Sequence, residues 1–135
     1  MTAKTLANRL EKYIQKWANE LGISDYKFEL VFCNNKELDG NYAEVDTDEE
    51  LRTAIIKVNR HRLNKEPTEV ERTVVHELLH TRINEYAEFF EEVVKEYADS
   101  TKAKRILRSR AEKIEHKIVV ALTDALTKEH KHGAI

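Results

Sequence analysis

His76-Glu77-Leu78-Leu79-His80 stands near the middle of the chain, inside a run from Val70 to Asn84 that reads as helix. Residues i and i+4 stack on one face of an α-helix, so the two imidazoles can point at one divalent ion. Glu77 sits about 100° further round. From there it can take a proton from a water beside that ion without being a ligand itself. Stepping about 100° per residue from Val75, the apolar residues Val75, Leu78, Leu79, Ile83 and Tyr86 form one stripe. His76 and His80 fall at its border, and Glu77 falls beyond them, toward solvent. The expectation is a ligand pair anchored beside a core and open on one side. The bland alternative is a pair of surface histidines on a Glu-rich amphipathic helix.

Downstream of the motif the apolar pattern continues through Phe89, Phe90, Val93, Val94 and Tyr97. One helix from Pro67 to Ala98 would be long for a small domain, which leaves room for a break near Asn84–Ala87. Asp99-Ser100-Thr101 offers N-caps, and a last helix runs from Lys102 to Lys128. The tail from His130 to Ile135 is expected to fray. Upstream, Pro67 opens the motif helix at a position where proline is tolerated. The stretch from His61 to Glu66 reads as a connecting loop.

The first half reads as one helix and three strands. Leu6, Leu10, Tyr13, Ile14, Trp17, Ala18 and Leu21 recur at helical spacing from Thr5 to Leu21, and Gly22 stops the run. Trp17 is assigned to core packing. Tyr26 to Cys33 alternates as a strand, and Asn34-Asn35 and Asp39-Gly40-Asn41 are turn chemistry. Tyr42 to Asp46 is a second short strand, Thr47 to Glu50 a polar turn, and Leu51 to Asn59 a third strand. Short connections favour antiparallel neighbours. The fold class expected is therefore α+β: a small antiparallel three-stranded sheet with helices packed on it, in one domain spanning residues 1–135.

Composition narrows the partners. A chain of 135 residues that is 41% hydrophobic can bury one real core. Net charge is −2, with no basic excess to suggest nucleic acid. No apolar run is long enough for a membrane span, and the N-terminus lacks the apolar core of a signal peptide. Cys33 is the sole cysteine, so no disulfide framework exists. A cytoplasmic location is the expectation. In its strand Cys33 is better read as a buried structural thiol than as a nucleophile.

A catalytic zinc usually takes three protein ligands and one water. The extended motif with glycine and histidine at positions 83 and 86 is excluded, because the chain has Ile83 and Tyr86. That removes the metzincin pattern. A histidine six residues after the motif, as in ribosomal-RNA-processing hydrolases, is missing for the same reason. The remaining arrangement draws a carboxylate from the next helix along. There Ala111, Ile114, Ile118, Leu122, Ala125 and Leu126 form the apolar stripe. Glu115 lies about 50° from its centre, Glu112 about 110° and His116 about 150°. Glu115 is thus the first choice for third ligand of Zn2+, with Glu112 and then His116 as alternatives. A salt bridge from Glu115 to Arg82 or Arg108 is the structural competitor, since a buried carboxylate needs a partner.

His76-Glu77-Leu78-Leu79-His80 and the stretch from Glu115 to Leu126 together resemble the short gluzincin-like metallopeptidases of bacteria and phages. These include relatives of the phage-immunity and stress-response proteases that cut repressors. Tyr42-Ala43-Glu44-Val45 and Arg52-Thr53-Ala54-Ile55-Ile56 resemble that family's hairpin strands. The resemblance implies a minimal zincin-like fold and a zinc-dependent peptidase acting on a peptide or protein, with His76, His80 and Glu115 as ligands and Glu77 as general base. His61, Tyr42 and Tyr86 are candidates for a second electrophile, and the second or third strand for substrate binding by strand addition. Two readings compete: a zinc-stabilised scaffold that only binds a partner, and a metal-free interaction module built on the segment from Glu85 to Tyr97. Self-association through Phe89, Phe90, Val93 and Tyr97 also fits that segment, although packing on the domain's own core is the simpler reading.

Overall fold

Local chemistry explains where each element begins and ends in the computed structural model, which describes residues 1–132. Helix α1 (Ala3–Glu20) starts at Thr2, whose hydroxyl accepts from the Thr5 amide at 3.1 Å. It buries Leu6, Leu10, Ile14, Trp17 and Ala18. Gly22, at φ +72°, closes it: the Gly22 amide donates to Asn19 O and the Ile23 amide to Ala18 O. This double closure needs a left-handed residue, which glycine supplies without steric cost.

Strands β1 (Lys27–Cys33), β2 (Ala43–Asp48) and β3 (Thr53–Asn59) form one sheet in the order β1-β3-β2. β2 and β3 are antiparallel, with Val45 opposite Ile56, but β1 runs parallel to β3, with Leu30 opposite Ile56. The sheet is therefore mixed, not antiparallel throughout. β3, paired on both sides, is the most buried strand, enclosing Ala54, Ile56, Val58 and Asn59. β1 and β2 carry exposed charges that suit edges, Lys27 and Glu29 on one, Glu44, Asp46 and Asp48 on the other. Thr47 and Asp48, read as turn, extend β2. The loop from β1 to β2 is braced by reciprocal bonds, Glu37 N to Asn34 Oδ1 at 2.8 Å and Asn34 N to Glu37 Oε1 at 3.0 Å. Cys33 is half-buried at the end of β1 rather than fully buried.

Asn59 ties the end of the sheet to the next helix. It is fully buried, and its amide group donates to Asn35 Oδ1 and Asn41 O while its Oδ1 accepts from the Arg62 amide. The last of these bonds caps a short helix, α2 (Arg60–Lys65), where a loop was expected. A 3-10 turn at Pro67–Glu69 leads into α3 (Val70–Tyr97).

α3 is continuous, with no break at Asn84–Ala87. Its first half is buried nearly all round, through Val70, Val74, Val75, Leu78 and Leu79 and also Thr73, Glu77 and Thr81. After Thr81 it buries only Val94 among the described residues. α4 (Thr101–His132), capped by Ser100 Oγ accepting from Ala103 N, returns antiparallel along it. The face that α4 turns inward is not its most apolar one. Val119, Thr123 and Thr127 are buried, while Ile114, Ile118 and Leu122 are exposed. The expected stripe is thus rotated off the core. Phe89, Phe90 and Tyr97 also remain exposed instead of joining it. Of the tail expected to fray, residues 130–132 continue α4, and residues 133–135 lie outside the described residues. No helix among the described residues is long and apolar enough to cross a membrane.

Candidate metal centre

Three elements meet around a cleft of about 670 Å³: β2, the first half of α3 and the middle of α4. Every residue from Asn41 to Thr47 lines it, which is how a strand presents its edge rather than one face. β3, central in the sheet, has no free edge, so of the two strands considered for substrate addition only β2 is available. From α3 come Arg72, Thr73, His76, Glu77 and His80, and from α4 Glu115 and His116.

The two motif histidines lie side by side, ring centroids 4.9 Å apart and nearly perpendicular. His80 Nδ1 stands 3.6 Å from Glu115 Oε2, each side chain under a third exposed. Two ligands of one tetrahedral zinc, each about 2.1 Å from it, are about 3.4 Å apart. The His80–Glu115 pair is therefore at ligand spacing, and two imidazoles with a carboxylate are a donor set that suits zinc. Among the described residues no three His, Cys, Asp or Glu side chains already form a set that could hold an ion.

Electrostatics match this arrangement. Burial, reinforced by the nearby His80, His116 and Arg72, lowers His76 to about 4, so its ring is neutral at pH 7. Burial also lowers His80, while Glu115 pulls the other way. Glu77 is raised to about 7, first by burial and then by Glu44 across the cleft. The sequence placed Glu77 toward solvent, but it is only 6% exposed. The reason is that α3 is covered on the sheet side as well as on its apolar stripe. A hydroxyl chain ties this face to the edge strand, Thr47 Oγ1 donating to Thr81 Oγ1 and Thr81 Oγ1 to Glu77 O.

The other expected site residues separate. Glu112 is exposed and lines a different groove. His116 is in the cleft, its ring 6.4 Å from that of His76. Tyr42 is at the rim, its hydroxyl donating to Glu66 at 2.8 Å and its ring under the Arg62 guanidinium. His61 is exposed on α2 and does not line the cleft. Tyr86 is 74% exposed and faces the other groove, so neither is placed to act here. The expected ion pairs also differ: Arg108 bonds Glu91, and Arg82 is exposed, leaving His80 as the partner of Glu115.

Sequence reasoning missed Arg72. It lies in the cleft, paired with Asp124 of α4 and with Glu69. The signal was present, because Arg72 precedes His76 by four residues and must share its face. No family model matches this chain, and no curated protein or solved structure matches it significantly.

Proposed function

We propose that this chain is a zinc-dependent peptidase that takes its substrate as an extended strand along the free edge of β2. One observation carries the reading: His76, His80, Glu115 and Glu77 surround a single cleft whose opposite wall is an unpaired strand edge. His76, His80 and Glu115 would hold the ion. Zinc bound there supplies Lewis-acid polarisation of a peptide carbonyl and acidification of a water.

The protein's own groups do the rest. The backbone amides and carbonyls on the free edge of β2, between Ala43 and Thr47, orient the substrate by ladder hydrogen bonds. Glu77, between the histidines and β2, takes the proton from water during attack and returns it to the leaving amine. Arg72, one turn before His76, is held by Glu69 and Asp124 and so ties α4 to that wall of the cleft.

A second reading rests on His116. With His76, His80 and Glu115 it makes four ligand-type side chains in one cleft, and four protein ligands would close a zinc site as in structural centres. The deciding experiment measures zinc content by plasma mass spectrometry and cleavage of a fluorogenic peptide library, for wild type and Glu77→Gln. The peptidase reading requires about one zinc per chain in both proteins and loss of at least about 100-fold in cleavage rate in the variant. Equal cleavage by both proteins refutes Glu77 as base. Zinc in both with cleavage in neither leaves the closed scaffold.

A further inference from the structure

The β2–β3 turn last reaches α3 at Glu88, through Glu49, and the α3–α4 hairpin carries an apolar face on the side of the helix pair opposite the cleft, the two sharing only Ala87 and Glu115. Tyr86, Phe89 and Phe90 on α3 and Leu107, Ile114 and Ile118 on α4 are all exposed, Tyr86 at 74% and Ile114 at 50%. Between the two rows runs a groove of about 740 Å³. Spacings of three and four keep each row on one side of its helix. His116 lies about 160° round α4 from both Ile114 and Ile118, so the apolar face and the cleft lie on opposite sides of the helix pair, with Glu115 between them. From their exposures the six side chains leave about 700 Å² bare, where a monomer rarely shows more than a few hundred in one patch. Tyr97 and Leu122 lengthen the stripe at its ends. The total then reaches the roughly 800 Å² that each partner of a standard interface buries.

Charge on either flank indicates what covers it. Glu92 and Glu96 lie exposed on the outer flank of α3, and Arg110, Lys113 and Lys117 form an exposed row on the outer flank of α4. A two-fold axis running along the hairpin lays α3 of one copy over α4 of the other. The apolar stripe then meets itself, and each glutamate pair meets the other copy's basic row. A two-fold axis across the hairpin would set glutamates against glutamates. We infer that this face is the interface of a homodimer in which two hairpins form an antiparallel four-helix bundle with both clefts opening outward.

Sedimentation velocity on the full-length chain tests this. Wild type should sediment at twice 15.8 kDa at micromolar concentration. Ile118→Glu should weaken association at least about 30-fold with an unchanged circular dichroism spectrum. Glu92→Lys should weaken it about threefold, and adding Arg110→Glu to Glu92→Lys should restore it. That exchange touches only exposed side chains, so it tests the two-fold arrangement without endangering the fold. A wild type that stays monomeric at about 100 μM, where an ordinary interface of this size would be saturated, overturns the inference and assigns the face to another partner. A dimer unmoved by Ile118→Glu overturns it by placing the interface elsewhere.

Discussion

Replacing Glu77 by glutamine should stabilise the metal-free protein at pH 8 while changing it little at pH 5. Glu77 is 6% exposed, and burial followed by the Glu44 charge raises it from the ordinary 4.5 to about 7. A raised carboxyl has a definite sign. The unfolded chain releases its proton near pH 4.5, but the folded chain keeps it until about 7. Stability from this group is therefore complete below pH 4.5 and is lost as pH rises through 7. At about 1.4 kcal/mol per pH unit the interval sets a ceiling of about 3 kcal/mol at pH 8, against under about 1 kcal/mol at pH 5. Glutamine keeps the shape and carries no charge, so the variant escapes this loss. His76 acts in the opposite sense: lowered from 6.5 to about 4, it costs stability as pH falls through that range. It is present in both proteins and cancels in their difference. The assay is urea unfolding of both proteins in EDTA at pH 5, 6.5 and 8. A difference between them that does not grow from pH 5 to pH 8 would show that Glu77 is not held in a desolvated site, and the reasoning would fail.

The same geometry sets two more outcomes. Asn59→Ala should cost about 2–3 kcal/mol in urea unfolding, because it removes the α2 cap and orphans partners on the loop that carries Tyr42 to the cleft; a loss under about 0.5 kcal/mol would refute that role. Glu115→Ala should weaken zinc binding by at least about tenfold in a competitive chelator titration while Glu112→Ala leaves it unchanged, and the reverse result would move the carboxylate ligand to the other groove.

Elements set by local chemistry were legible in the residues themselves. The spacing of Leu6, Leu10, Ile14 and Trp17 with the glycine after Leu21 defines α1, and His76 and His80 must share a face of any helix that contains them. Glu115, and not Glu112, lines the cleft, though for a different reason from the one the apolar pattern offered. α4 turns Glu115, Val119 and Thr123 toward α3 and leaves Ile114 and Ile118 outside. A helical wheel ranks faces by hydrophobicity against water, and it misleads when the face packed on a neighbouring helix is not the most apolar one.

Periodicity and punctuation are local, so the residues alone carry them: which segments are helix or strand, where they stop, and which side chains lie on one side of each. The sheet order, the burial of Glu77 and the meeting of β2 with the motif helix were settled only by packing in three dimensions. Each of these depends on contacts between residues distant in the chain. β3 lies between β1 and β2 although β1 carries as many apolar residues, so composition does not give the order; the pairing of β3 with a strand on each side does. Glu77 is buried because the sheet closes over a face of α3 that, in the isolated helix, would be open to water.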